Sequence, residues 1–318
     1  MIKRLSKKVL EYLGKQITNQ LSNVTPPTYL GNNLMLCKMR WGGWVVVPTF
    51  NIDVAIGAIR DGLIEAATTD FVMSNLKFKD TYINVGANFG YYTCLAGNIV
   101  GAPGRIWSFE ANPVMFAVLL KTAYYAGIID RVSLFNRAVS NSTGENIEFH
   151  FDYQFIGGGS ILPKDCTPVT EEDLFWHSGN MEFLLNPDGS YCVGRGLYKK
   201  IMTKTITLDS AIQTDTVNMI QCDAEGAEPF ILLGAKELIS RSKQVKIIFE
   251  WTSDNYQKGD DLFKNSVHKL WEFFDREGFI IKRILPQLQK GKAALSGPIK
   301  YETMITSAQH GDYFAYRY

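Results

Sequence analysis

From Asp80 to Ser140 the chain alternates short β-rich runs with helix-length segments, and nothing else in it restricts the fold as strongly. TYINVG (81–86) is a β-rich run that stops at a glycine. NFGYYTCLAGNIVG (88–101) is helix-like and stops at another. RIWSFEA (105–111) reads as a second strand. In NPVMFAVLLKTAYYAG (112–127) Asn112 is placed as N-cap, Pro113 at the first helical position and Gly127 as a C-terminal stop. RVSLFNRAVS (131–140) is a third strand. Strands alternating with crossover helices imply a parallel sheet in an α/β fold.

The pattern extends in both directions. NIEFHFDY reads as an additional strand. VNMIQCD, VKIIFEW, FIIKRILP and DYFAYRY are later strands, EGAEPFILLGAKELISR is a helix, and another helix is expected over 261–276. Between about 154 and 204 periodicity collapses, which marks an irregular insert. Upstream, residues 1–22 read as a helix, a β-hairpin is expected around Gly42 and Gly43, and Ile56, Ile59, Leu63, Ala66 and Ala67 suggest one amphipathic helix from Asp53 to about Leu76. The expected division is an N-terminal helical and hairpin extension, 1–75, and a main domain, 76–318, carrying the insert.

Composition narrows the functional classes. Thirty-three basic against 32 acidic residues leave a net charge of +1, which argues against nucleic-acid binding. The start, MIKRLSKKVL, is locally basic. It reads as an exposed amphipathic helix, with weak peripheral membrane contact as the alternative. No apolar run reaches the roughly 18 residues of a membrane span. The five cysteines are scattered, with no C-x-x-C pair. A reduced, cytoplasmic protein is therefore expected. Nothing in the sequence specifies an oligomeric state.

Five segments carry candidate chemistry. Asn84, Gly86, Asn88 and Gly90 lie where the first strand passes into a helix. Glycines there let a ligand approach the backbone, and the helix start offers free N–H groups. The spacing is G-x-x-x-G, looser than the dinucleotide-binding G-x-G-x-x-G, so a ligand without phosphate at that point fits better. Glu110 ends the second strand, 20 residues after Gly90. It can accept two hydrogen bonds from a ribose diol, or serve merely as a helix-start charge. Backbone groups of Arg137 and Ala138, ending the third strand, can face an adenine edge. Asp223 and Glu225 close the fourth strand, where they orient a substrate hydroxyl, face the cofactor, hold a metal or simply cap a helix. Glu250 ends the fifth strand at the same sheet edge. His177, in the insert, is a base by location alone.

Together NVGANFGYYT, SFEANP, NRAVS, TITLDS and DAEGAEPFILLGA resemble the FkbM family of methyltransferases, over roughly residues 75–252 and the closing strands. The resemblance implies a Rossmann-like class I methyltransferase fold, a seven-stranded, mostly parallel sheet whose last strand, DYFAYRY, runs antiparallel. It implies S-adenosyl-L-methionine as donor and O-methylation of a sugar, glycan or related hydroxylated small molecule. Gly86, Asn88 and Gly90 would then line the methionine side, Glu110 the ribose, and Asp223 the methionine portion or the acceptor. The family usually has Asp where this chain has Asn84, a loss of charge worth about 1–3 kcal/mol if it faces the donor's ammonium. Asp223, then Glu250, are the expected bases, with Glu225 beside them. A divalent metal is compatible with these carboxylates but not required. The insert would form a lid, with Phe155, Phe175, Trp176 and Tyr191 stacking on a sugar. The alternatives are a nicotinamide-dependent oxidoreductase, which wants the tighter glycine spacing, and a non-catalytic protein that keeps the cofactor pocket.

Overall fold

The computed structural model describes residues 25–50, 54–152, 159, 167–168, 198–287 and 291–318. The N-terminal helix expected over 1–22 lies outside them, as do Phe155, Phe175, Trp176, His177 and Tyr191 of the insert.

Strands β1 (Thr28–Gly31), β2 (Leu34–Lys38) and β3 (Trp44–Pro48) form an antiparallel sheet in that order, with β2 and β3 joined through Gly42 and Gly43. Helices α1 (Val54–Asp61) and α2 (Ala66–Asn75) follow. The sequence reading expects a single helix here, but Gly62 adopts φ +61° and ends the first one, the left-handed stop that glycine supplies without strain. Glu65, also left-handed at φ 43°, then starts the second.

The main sheet contains β4 (Thr81–Val85), β5 (Arg105–Phe109), β6 (Val132–Phe135), β11 (Met219–Cys222), β12 (Lys246–Trp251), β13 (Ile280–Arg283) and β14 (Gly311–Tyr316), in the order β13-β14-β12-β11-β4-β5-β6. Only β14 runs antiparallel to its neighbours. The strand–helix alternation predicts the parallel α/β sheet, and the family resemblance implies its seven strands, Rossmann-like class and antiparallel DYFAYRY strand. Its central strands are buried along nearly their whole length, because helices cover both faces of a parallel sheet.

Helices α3 (Tyr91–Val100) and α4 (Pro113–Tyr125) are the first two crossovers. Asn112 caps α4 as expected, its side chain accepting from the Val114 amide at 3.0 Å, with Pro113 behind it. One face of α4 shares a core with the N-terminal sheet, where Val45, Val46 and Val47 meet Val114, Met115 and Val118.

Two expected elements divide. RVSLFNRAVS leaves the main sheet after Phe135. Its Ala138–Val139 (β7) pairs instead with the end of β10 (Tyr198–Ile206), which also pairs with β8 (Asn146–Asp152) and with β9 (Thr167–Pro168). Strand β10 begins inside the stretch expected to be irregular. Its buried positions are Lys199, Thr203 and Thr205, so no apolar alternation announces it. The helix expected over 225–241 splits after a short α5 (Leu208–Ala211) into α6 (Glu228–Leu233) and α7 (Lys236–Arg241). The break falls at Gly234, where a Cβ would stand 2.1 Å from the Ser140 carbonyl oxygen. Helices α8 (Ser253–Lys258), α9 (Asp261–Arg276) and α10 (Tyr301–Thr306) complete the chain. No helix among the described residues is long and apolar enough to cross a membrane.

Candidate active site

Strand order reverses at β4, with β5 and β6 to one side and β11 and β12 to the other. Such a switch point separates the crossovers and leaves a crevice at the carboxyl ends of the strands. A cavity of about 370 Å3 opens there, within the size range of small-molecule sites. Gly86, Asn88, Glu110, Arg137, Ala138, Asp223, Glu225 and Glu250 all line it. Asn84 and Gly90 do not.

The loop after β4 owes its shape to backbone conformations. Gly86 has φ +78°, and a Cβ on it would lie 1.7 Å from the carbonyl oxygen of Asp223. The glycine is thus required by the close approach of the β11 loop, where the sequence suggested approach by a ligand. Asn88 is left-handed at φ 49°. Its amide donates to Glu110 Oε2 at 2.7 Å and its own Oδ1 accepts from the Phe89 amide at 2.8 Å. Gly90, at φ +95°, opens α3 against Leu119, whose Cδ1 would be 2.7 Å from an added Cβ. Gly90 therefore serves helix packing.

Asn84 is placed differently from the expectation. It is 2% exposed, and its Nδ2 donates to Thr93 Oγ1 at 3.0 Å, which pairs in turn with Ser108 Oγ at 2.8 Å. These bonds fasten β4 to α3 and β5. Its Nδ2 is thereby engaged with α3, and Asn84 is not among the residues that line the cavity.

Glu110 joins the two halves of the pocket wall. Its Oε1 accepts from the Asn112 amide at 2.8 Å while Oε2 holds Asn88. Burial pushes its pKa up to about 7, against the pull of those amides. Each oxygen keeps a lone pair for a hydroxyl. Asn136 Nδ2 donates to the carbonyls of Glu110 and Ala111 at 2.8 and 3.1 Å. These contacts set Arg137 and Ala138 beside the Glu110 end of the cavity.

At the other end carboxylates accumulate. Asp223, Glu225 and Glu250 each offer an oxygen, and these atoms lie within 4.8 Å of one another. That spacing suits a divalent cation held by hard oxygen ligands as well as an organic cation. Burial raises Asp223 well above the usual carboxylate range, and Glu250, Glu65, Asp312 and Glu225 add to the effect. Glu250 is pushed up to about 8, mainly by burial, then by Glu225, Asp312 and Glu65. His310 Nε2 stands 3.3 Å from Glu250 Oε1 on the solvent side. Asp223 does not cap a helix. Helix α6 starts at Glu228 with no side-chain cap, and Glu228 Oε1 reaches back to the Ala224 amide at 2.8 Å.

Two carboxylates escape the sequence reading. Asp312 pairs in register with Glu250 and accepts from Thr68 Oγ1. A signal for it existed, since the first residues of an antiparallel strand, here Gly311 and Asp312, sit at the edge where its parallel neighbours end. Glu65 lines the cavity and accepts from Tyr92 Oη at 2.7 Å. It was hidden inside a helix read as continuous, although Gly62 marks the break. Ile147 and Phe149 of β8 supply an apolar wall.

Comparison with known proteins places the Methyltransferase FkbM domain on residues 84–281. No curated protein matches the chain. Among solved structures, an S-adenosylmethionine-dependent O-methyltransferase from Thermotoga maritima is similar at 12% identity, covering 89% of this chain and 77% of its own, with a TM-score of 0.40. An O-methyltransferase from Bacillus cereus, in complex with S-adenosylhomocysteine, shows 11% identity over 79% and 78%, with a TM-score of 0.40. One from Streptomyces achromogenes, involved in tomaymycin synthesis, shows 10% over 80% and 78%, again at 0.40.

Proposed function

Because this chain belongs to the FkbM methyltransferase family, we propose that it transfers the methyl group of S-adenosyl-L-methionine to a hydroxyl of a sugar, glycan or related small molecule. The observation that carries this reading is the single cavity in which the Gly86–Asn88 loop, Glu110 and a bank of carboxylates meet. Its volume and its two chemically distinct ends fit an adenosyl sulfonium compound. Glu110 takes the ribose diol, with Arg137 and Ala138 beside the adenine. The loop and the carboxylate end take the amino-acid portion and the positive charge.

When bound, the donor supplies a methyl carbon already activated by sulfonium. The protein's task is to align the acceptor and exclude water. Asp223 holds the acceptor hydroxyl and takes its proton, with Glu250 second in that role and Glu225 beside both. Their raised pKa values keep protons on this cluster while the cavity lacks positive charge; a cation next to them restores the carboxylate form that a base requires. Asp223, Glu225 and Glu250 are also the residues that would hold a divalent cation, which would orient the acceptor oxygen and lower its pKa.

The test is calorimetric titration with S-adenosylhomocysteine and NAD, followed by transfer of labelled methyl to a panel of sugars and glycans. Binding of the first ligand but not the second, with transfer abolished in Asp223→Ala and its melting temperature nearly unchanged, is the expected result. Preference for NAD refutes the donor, and full turnover by the variant refutes the base. Binding without any transfer points to a non-catalytic cofactor-binding protein.

A further inference from the structure

We infer that Glu65, contributed by the segment before the main sheet, binds the ammonium group at the amino-acid end of the methyl donor. The inference rests on the donor reading above and adds a residue to it. With the ribose at Glu110, just past the end of β5, the amino-acid portion extends away from β6, across the loop after β4, toward the first turn of α3. Tyr92 sits in that turn, and its hydroxyl pins the Glu65 carboxylate at 2.7 Å, in the wall of the cavity. Asn84, near the end of β4, donates to Thr93 and carries no charge, so this end receives none from the strand.

The backbone at Glu65 supports the assignment independently. A glutamate at φ 43°, ψ 66° occupies the left-handed region that glycine adopts without penalty. Such strain persists where the surroundings over-determine a conformation, and it concentrates at binding sites. Here the conformation turns the side chain toward α3 and the cavity. Among the described residues no basic side chain pairs with Glu65; the charged groups that bear on its carboxyl are acidic, Asp312 first. A carboxylate that is anchored by a tyrosine and surrounded by other carboxylates is complementary to a cation. Glu65 answering the ammonium leaves Asp223 and Glu250 to the reacting centre and the acceptor.

The test separates charge recognition from structural damage by using two ligands. S-adenosylhomocysteine carries the amino-acid portion, and 5′-methylthioadenosine lacks it. In Glu65→Gln the affinity for S-adenosylhomocysteine is expected to fall at least about tenfold, the scale of one charge-assisted hydrogen bond. Affinity for 5′-methylthioadenosine is expected to hold within about twofold of wild type. Glu65→Gly, whose backbone is at ease at positive φ, should show the same selective loss and so excludes misfolding as the cause. Equal affinity for S-adenosylhomocysteine in wild type and Glu65→Gln overturns the assignment, as does an equal loss for both ligands. Wild-type protein that binds neither ligand overturns the donor reading itself.

Discussion

Replacing Gly86 by alanine tests the geometry on which the pocket depends. The Cβ would lie 1.7 Å from the Asp223 carbonyl oxygen, whereas real Cβ contacts essentially never fall below 3.0 Å. The β11 loop must therefore retreat by more than about 1 Å, since the obstacle is backbone and cannot rotate aside. Overpacking of this kind costs about 1–3 kcal/mol, and a side chain at φ +78° adds about 1–2 kcal/mol. The expected loss of stability is about 2–5 kcal/mol. The same shift moves Asp223, and a displacement near 1 Å at a reacting centre lowers rate by about 100-fold. Gly127→Ala is the control. It has φ +66° and nothing within 4 Å of an added Cβ, so it carries the backbone penalty alone. Urea unfolding of both variants gives the difference, and calorimetry with S-adenosylhomocysteine reports on the pocket. A Gly86→Ala protein no less stable than Gly127→Ala, with wild-type affinity for the ligand, would show that the two loops are not held by this contact.

Two further outcomes follow from buried polar groups. Thr93→Val should cost about 1–3 kcal/mol in urea unfolding, because it leaves the Asn84 amide buried without its acceptor. Affinity for S-adenosylhomocysteine should hold nearly constant; a large selective loss of affinity would return Asn84 to the binding site. Glu110 and Glu228, both buried, are each raised to about 7 by burial. Between about pH 4.5 and 7 the folded state keeps protons that the unfolded chain has released. The stability these two groups contribute is therefore full below about pH 4.5 and is lost as pH rises toward 7. The urea midpoint of the ligand-free protein should drop between pH 5 and 7.5, less steeply in Glu228→Gln; a flat or rising midpoint contradicts the assignment.

The sequence by itself determined the alternation of strands and crossover helices along the chain, while their order in the sheet came from the structure. The central runs TYINV, MIQC and KIIFEW are apolar because they are covered on both sides, and the second crossover helix is bounded by residues with local preferences, Asn112 and Pro113 at its start and Gly127 after its end. The same logic placed Gly86, Asn88, Glu110, Asp223 and Glu250 on one edge, since residues that end parallel strands must share it. Tertiary structure alone decided which of them face the cavity. Asn84 Nδ2 donates to Thr93 of α3, Gly90 packs on Leu119 of the next crossover, and Gly86 accommodates Asp223 more than a hundred positions away, partners that no local pattern around these residues specifies. Glu65 lines the cavity and Asp312 stands close enough to bear on its carboxyl through space, the two segments meeting where Thr68 donates to Asp312, and no periodicity of either segment records the other. Local patterns report burial and turning, which act over a few residues. The direction of a polar side chain depends on what the rest of the chain brings beside it.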